Sequence, residues 1–173
     1  GLSSDGGFGL GLCTPGDLNG DGIQDLAIGE PDVGSGVVRV FSATDGKLLF
    51  ELTGKNSGSR FGASIASCGD INNDGILDLV VGAPDDPTRG TSAGMASVIS
   101  GANGSIIDQQ FGSTQESFTL GLAGAHPWAF TPGYLVASTR GISLFRSEVP
   151  IQVVSGQNRS SASLAGISYQ QQT

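Results

Sequence analysis

The sequence is poor in most of what catalysis and nucleic-acid binding need. Charged residues make up only 14% of 173, and there is one His, one Trp and one Met. The single His126 lies beside Pro127 and Trp128 with no serine or cysteine nucleophile motif nearby, so it reads as a packed loop residue. Eight basic residues against sixteen acidic ones give a net charge of −8. That excludes the basic patch that phosphate binding requires, and with it a nucleic-acid partner. No run of 18 apolar residues is present, so no membrane span is expected. No basic-then-apolar leader pattern appears, and Gly1 in place of an initiator Met points to a processed or trimmed chain. The two cysteines, Cys13 and Cys68, leave two readings open: two buried thiols, or one disulfide from an oxidising compartment.

What the chain has instead is glycine and small or β-branched residues. There are 29 Gly, and 38% of the residues are hydrophobic, too many for a disordered chain. Short strands joined by tight turns suit this mixture, and no amphipathic helix of useful length is visible.

The sequence also repeats itself. Phe8-Gly9 recurs as Phe61-Gly62, Gly16-Asp17 as Gly69-Asp70, Asp25-Leu26 as Asp78-Leu79, and Gly29-Glu30-Pro31-Asp32 as Gly82-Ala83-Pro84-Asp85, all at an offset of 53. Val38 to Gly46 matches Ala96 to Gly104 at an offset of 58, with the extra five residues falling between Asp86 and Ala93. A third copy is worn: Phe118 to Ala123 matches Phe61 to Ala66, Tyr134 to Ala137 matches Asp78 to Val81, and Gly141 to Phe145 supplies a further strand. Val37 to Phe41, a turn at Thr44-Asp45-Gly46, and Lys47 to Leu52 read as a hairpin. The spacing predicts units at 8–60, 61–117 and 118–155, with terminal segments 1–7 and 156–173. Each unit has about four strands, the size of one propeller blade.

Two of the units carry an acidic loop, Asp17 to Asp25 and Asp70 to Asp78. Side-chain oxygens fall at loop positions 1, 3, 5 and 9: Asp17, Asn19, Asp21 and Asp25, then Asp70, Asn72, Asp74 and Asp78. Ca²⁺ wants six to eight hard oxygens in flexible geometry, and this alternate spacing aims them inward. Position 7, Ile23 or Ile76, is expected to lend its backbone carbonyl and turn its side chain to the core. Position 6, Gly22 or Gly75, serves the sharp turn. Neither loop has the His or thiolate that a transition metal prefers. Turn formation alone accounts for one such cluster, but not for two at a fixed offset. Six of the sixteen acids lie in these loops, so two Ca²⁺ would halve the net charge. An EF-hand is excluded, because position 12 is Ile28 or Val81 within an apolar strand. The third unit replaces the loop with His126 to Gly133.

The combination of Phe-Gly, then Gly-Asp-x-Asn-x-Asp-Gly-x-x-Asp-Leu, then Gly-x-Pro resembles the FG-GAP repeat of integrin α-subunit heads and bacterial surface proteins. The second unit fits best; the first has Glu30 where the motif has Ala, and the third has Phe118-Thr119 and no acidic loop. The resemblance implies an all-β protein of β-propeller blades, each with Ca²⁺ held in a hairpin loop as a structural tie and with ligands bound elsewhere. Propellers of this family usually close with seven blades. About three blades therefore imply a piece of a longer protein, or copies that complete one another as an oligomer or filament. A blade-to-blade Cys13–Cys68 disulfide would fit their like positions ahead of the acidic loops. Asn103 and Asn158 head glycosylation sequons.

These readings together point to an extracellular, secreted or cell-surface module of structural or adhesive role, not an enzyme, with a protein or glycan partner. A ligand-recognition module like the integrin head, or an accessory domain of a secreted lipase or polysaccharide lyase, are the rival readings.

Overall fold

The computed structural model of the chain describes residues 6–112 in full and, as backbone, the strands at 120–124, 133–138, 141–146 and 154–155. Among the described residues, twelve strands form three four-stranded antiparallel sheets, each a simple meander. The first holds β1 (Leu12–Cys13), β2 (Leu26–Glu30), β3 (Val37–Phe41) and β4 (Leu48–Thr53). The second holds β5 (Ser64–Gly69), β6 (Asp78–Ala83), β7 (Met95–Ile99) and β8 (Ile106–Phe111). The third holds β9 (Leu120–Gly124), β10 (Gly133–Ser138), β11 (Gly141–Arg146) and β12 (Val154–Ser155). This is the architecture of propeller blades. Among the described residues, no helix is long and apolar enough to cross a membrane.

The first two sheets stack face to face, with alternation along each strand setting which residues meet. One face of the first sheet buries Ala27, Val38 and Val40 against Ile65, Leu79, Val81, Ala83, Met95 and Ile99 of the second. The opposite face of the second sheet buries Cys68, Val80, Ala96 and Val98 in a separate cluster. β9 of the third sheet packs against β5 and β6.

The first contact between sheets is closed by backbone. The carbonyl of Gly62 sits where a Cβ on Gly29 would lie 2.0 Å away and one on Gly11 2.2 Å away. Gly62 itself has φ +88° and donates its N–H to the Gly82 carbonyl at 2.9 Å. Phe61 beside it is buried in the first cluster. The Phe-Gly pair is thus a pin between sheets: the ring fills the core, and the glycine lets two backbones touch.

The outward face of the first sheet differs from its counterpart in the second. The cross-strand row Leu12, Ile28, Arg39, Glu51 corresponds to Ile65, Val81, Ser97, Gln109. Arg39 bridges Glu30 at 2.7 Å and Glu51 at 2.6 Å, and Glu30 is only 1% exposed. Where the second sheet presents Ala83 to its neighbour, the first places a paired buried carboxylate. Burying a charge is tolerable only with such a partner.

Candidate metal centres

Each acidic loop joins the first and second strands of its sheet and is built by largely the same hydrogen bonds. Position 1 folds the loop back on itself: Asp17 accepts from the N–H groups of Gly20 (2.7 Å), Asp21 (3.1 Å) and Gly22 (2.8 Å). Asp70 likewise accepts from Asp74 (3.0 Å) and Gly75 (2.9 Å). The amide oxygens of Asn19 and Asn72 accept from the N–H of Asp21 and Asp74, at 2.9 and 3.0 Å. Their Nδ2 groups donate to the Oδ2 of those same aspartates, at 2.9 and 2.8 Å. The Oδ1 atoms of Asp21 and Asp74 each accept from the N–H at position 7, both at 2.9 Å. The turn demands positive φ at Gly20 and Gly22, and at Asn73 and Gly75.

Position 9 has a different job. Asp25 and Asp78 are fully buried. Asp25 accepts from Leu18 N–H (2.8 Å) within its loop and from Ala43 N–H (3.4 Å) in the β3–β4 turn. Asp78 accepts from Ile71 (2.6 Å), Asn72 (3.3 Å) and Gly101 (3.1 Å). Each therefore clasps the acidic loop to the hairpin of its own sheet. Burial pushes the Asp78 carboxyl above its ordinary range, against the pull of these three N–H groups. Asp21 is held below the ordinary range, first by the Ile23 N–H and then by Thr44, Asn19 and Ser42.

The donor set is all hard oxygen, with three carboxylates and one amide per loop, which fits Ca²⁺ and not a soft metal. Among the described residues, no three acidic, His or Cys side chains converge as a tight metal cluster. In each loop the carboxylates of positions 1, 5 and 9 accept from backbone N–H groups.

Several sequence expectations resolve at this level. Ile76 packs on the first core cluster as expected, but Ile23 is 52% exposed, so its side chain does not turn inward. Core anchoring in the first loop passes to position 2 instead. Leu18 is buried beside Gly101 and joins the first cluster, and its counterpart Ile71 packs on the second. Of the two readings left open for the cysteines, this structure has the free thiols, Cys13 half-buried and Cys68 buried. Cys68 belongs to the second cluster and Cys13 packs on the first, on opposite sides of the second sheet. The strand pleat, not the spacing in sequence, separates them. Asn103 is exposed at the β7–β8 turn, its Oδ1 accepting from Ser105 N–H at 2.8 Å. Asn158, His126 and Trp128 lie outside the described residues.

Sequence reasoning missed the hydroxyls of the β3–β4 turn. Ser42 is buried and donates to Asp21 Oδ2 at 3.3 Å. Its counterpart Ser100 stood in the 58-residue repeat match, which was the available signal.

Such sheets, each with an acidic loop between its first and second strands, define a propeller blade as the class. Residues 8–41 and 61–99 match the FG-GAP repeat model, so these two stretches, less than half of the chain, are FG-GAP repeats. The chain is 42% identical over 86 residues to integrin alpha-4 of Xenopus laevis, covering 44% of this chain and 8% of that protein. It is 47% identical over 79 residues to integrin alpha-3 of Mus musculus (39% and 7%). It is 33% identical over 129 residues to integrin alpha-5 of Xenopus laevis (62% and 12%). The chain thus spans about a tenth of the length of these relatives.

Proposed function

We propose that this chain supplies three blades, in units 8–60, 61–117 and 118–155, of an extracellular adhesion-type propeller. Calcium acts there as a structural tie, and a protein or glycan partner is met away from the metal. The observation that carries this reading is the near-identical bonding of the two acidic loops on successive stacked sheets. Asp17, Asn19, Asp21, the Ile23 carbonyl and Asp25 hold one ion, and Asp70, Asn72, Asp74, the Ile76 carbonyl and Asp78 the other. Bound calcium neutralises carboxylates that otherwise repel one another. The chain's own part is to pre-fold each loop on backbone N–H groups and to anchor it through the buried aspartate at position 9. Similarity to integrin alpha chains supports the adhesive, non-enzymatic role.

Thermal unfolding with calcium or with chelator tests the reading. Calcium at about 100-fold over its dissociation constant stabilises by about 2.7 kcal/mol per site. Asp21→Ala and Asp74→Ala each remove one site from a calorimetric titration. An unchanged melting temperature on chelation refutes the proposal.

A further inference from the structure

The β3–β4 turn places Ser42 over the acidic loop of its sheet, and Ser100 is the equivalent residue of the β7–β8 turn. Asp25 and Ser42 lie one residue beyond the last paired rung Leu26–Phe41, and Asp78 and Ser100 one beyond Leu79–Ile99. The antiparallel register therefore sets each serine across from the position 9 aspartate. The turns are bonded alike: Ser42 N–H donates to Lys47 and Ser100 N–H to Ser105, both at 2.8 Å. The hydroxyls are not alike. Ser42 Oγ donates to Asp21 Oδ2 and accepts from Thr44 N–H, both at 3.3 Å. Ser100 Oγ is buried, with the residue 1% exposed, and has no partner. Where Thr44 adds a second hydroxyl beside Asp21, the second turn has Ala102.

A buried hydroxyl without a partner is unfavourable and calls for a ligand. We infer that Ser42 and Ser100 are further binding residues of the two calcium sites, with Ser100 reserving its hydroxyl for the coordination shell of the second ion. The inference rests on the calcium reading above and adds a wall to each site from outside the nine-residue loop. It also makes the sites unequal. In the first, the hydroxyl already serves the ion-free fold. In the second, it is satisfied only when the ion is present.

The test uses the whole chain with Ca²⁺ alone as the probe, reading calorimetric affinity and melting temperature with chelator and with calcium. Ser100→Ala is expected to leave the chelated protein as stable as the wild type, or more so, and to weaken one of two sites by roughly five- to tenfold. Ser42→Ala is expected to lower the melting temperature of the chelated protein as well, since it removes bonds already made. Equal loss with and without calcium for Ser100→Ala makes the serine merely structural and overturns the inference. So does an unchanged affinity in a wild type that binds two ions. A wild type that binds no calcium sinks the calcium reading itself.

Discussion

Replacing Gly29 by alanine tests the account of how the first two sheets meet. Gly29 needs no positive φ, so its backbone tolerates a side chain. What it lacks is room: the new Cβ would stand 2.0 Å from the Gly62 carbonyl oxygen and 2.9 Å from its carbon. Relief requires the sheets to part locally by about 1 Å, because contacts between heavy atoms are normally beyond 3 Å. Neither backbone is free to yield. Gly29 donates to Gly11 and accepts from Gly9, both at 2.8 Å, and Gly62 is tied to Gly82 at 2.9 Å. Overpacking a close-packed core costs about 1–3 kcal/mol. The rigid backbone on both sides puts Gly29→Ala at the upper end, about 3 kcal/mol. For a chain of this size that lowers the melting temperature by about 6–12 °C. Gly46→Ala is the comparison: it has φ +71° with nothing within 4 Å of the new Cβ. It suffers only the left-handed backbone term, about 1–2 kcal/mol. Calorimetry of both variants in calcium decides the matter, and the order carries the argument. A Gly29→Ala protein as stable as Gly46→Ala, or more so, refutes the backbone contact between sheets.

Two further outcomes follow. Burial pushes both thiols up, so neither Cys13 nor Cys68 should react readily with a thiol reagent in the native state, and two thiols should appear in denaturant. Finding none in denaturant overturns the placement of the cysteines in separate clusters. In calcium-free protein, the depressed Asp21 carboxyl contributes stability that is complete above about pH 4 and lost as the pH falls through its folded value. The raised Asp78 carboxyl acts in the opposite sense, its ionised form being the less favoured in the fold. Asp21→Asn should therefore flatten the acid limb of a melting-temperature profile and Asp78→Asn should not; identical profiles for the two variants refute the assignment.

Much of this fold was legible because the repeat wrote it more than once. The hairpin expected at Val37 to Leu52 is β3 and β4, and the runs Leu26-Ala27-Ile28 and Leu79-Val80-Val81 lie in β2 and β6. Even the worn third copy was readable, since Tyr134 to Ala137 and Gly141 to Phe145 fall in β10 and β11. What a sequence with buried strands conceals is which face meets which neighbour. Val80 and Val81 look alike but enter different clusters, and Cys13 and Cys68, alike in their place ahead of the acidic loops, also belong to different ones. Ile23 misled for a related reason: periodicity places an apolar residue but does not say whether a neighbouring sheet covers it. Glu30 gave the converse signal. A charge inside an apolar row marks a local partner, which Arg39 supplies.

The two hydrophobic clusters lie on opposite sides of one sheet and share no residue. The described residues therefore share no single core. They are held like links in a chain, each joint answering only to the sheets on either side of it. Damage at one joint stays local, and a lengthened array gains a joint without asking the existing ones to change. That makes a sheet a portable part, able to do without an acidic loop, as the third unit does, and still pack on its neighbours.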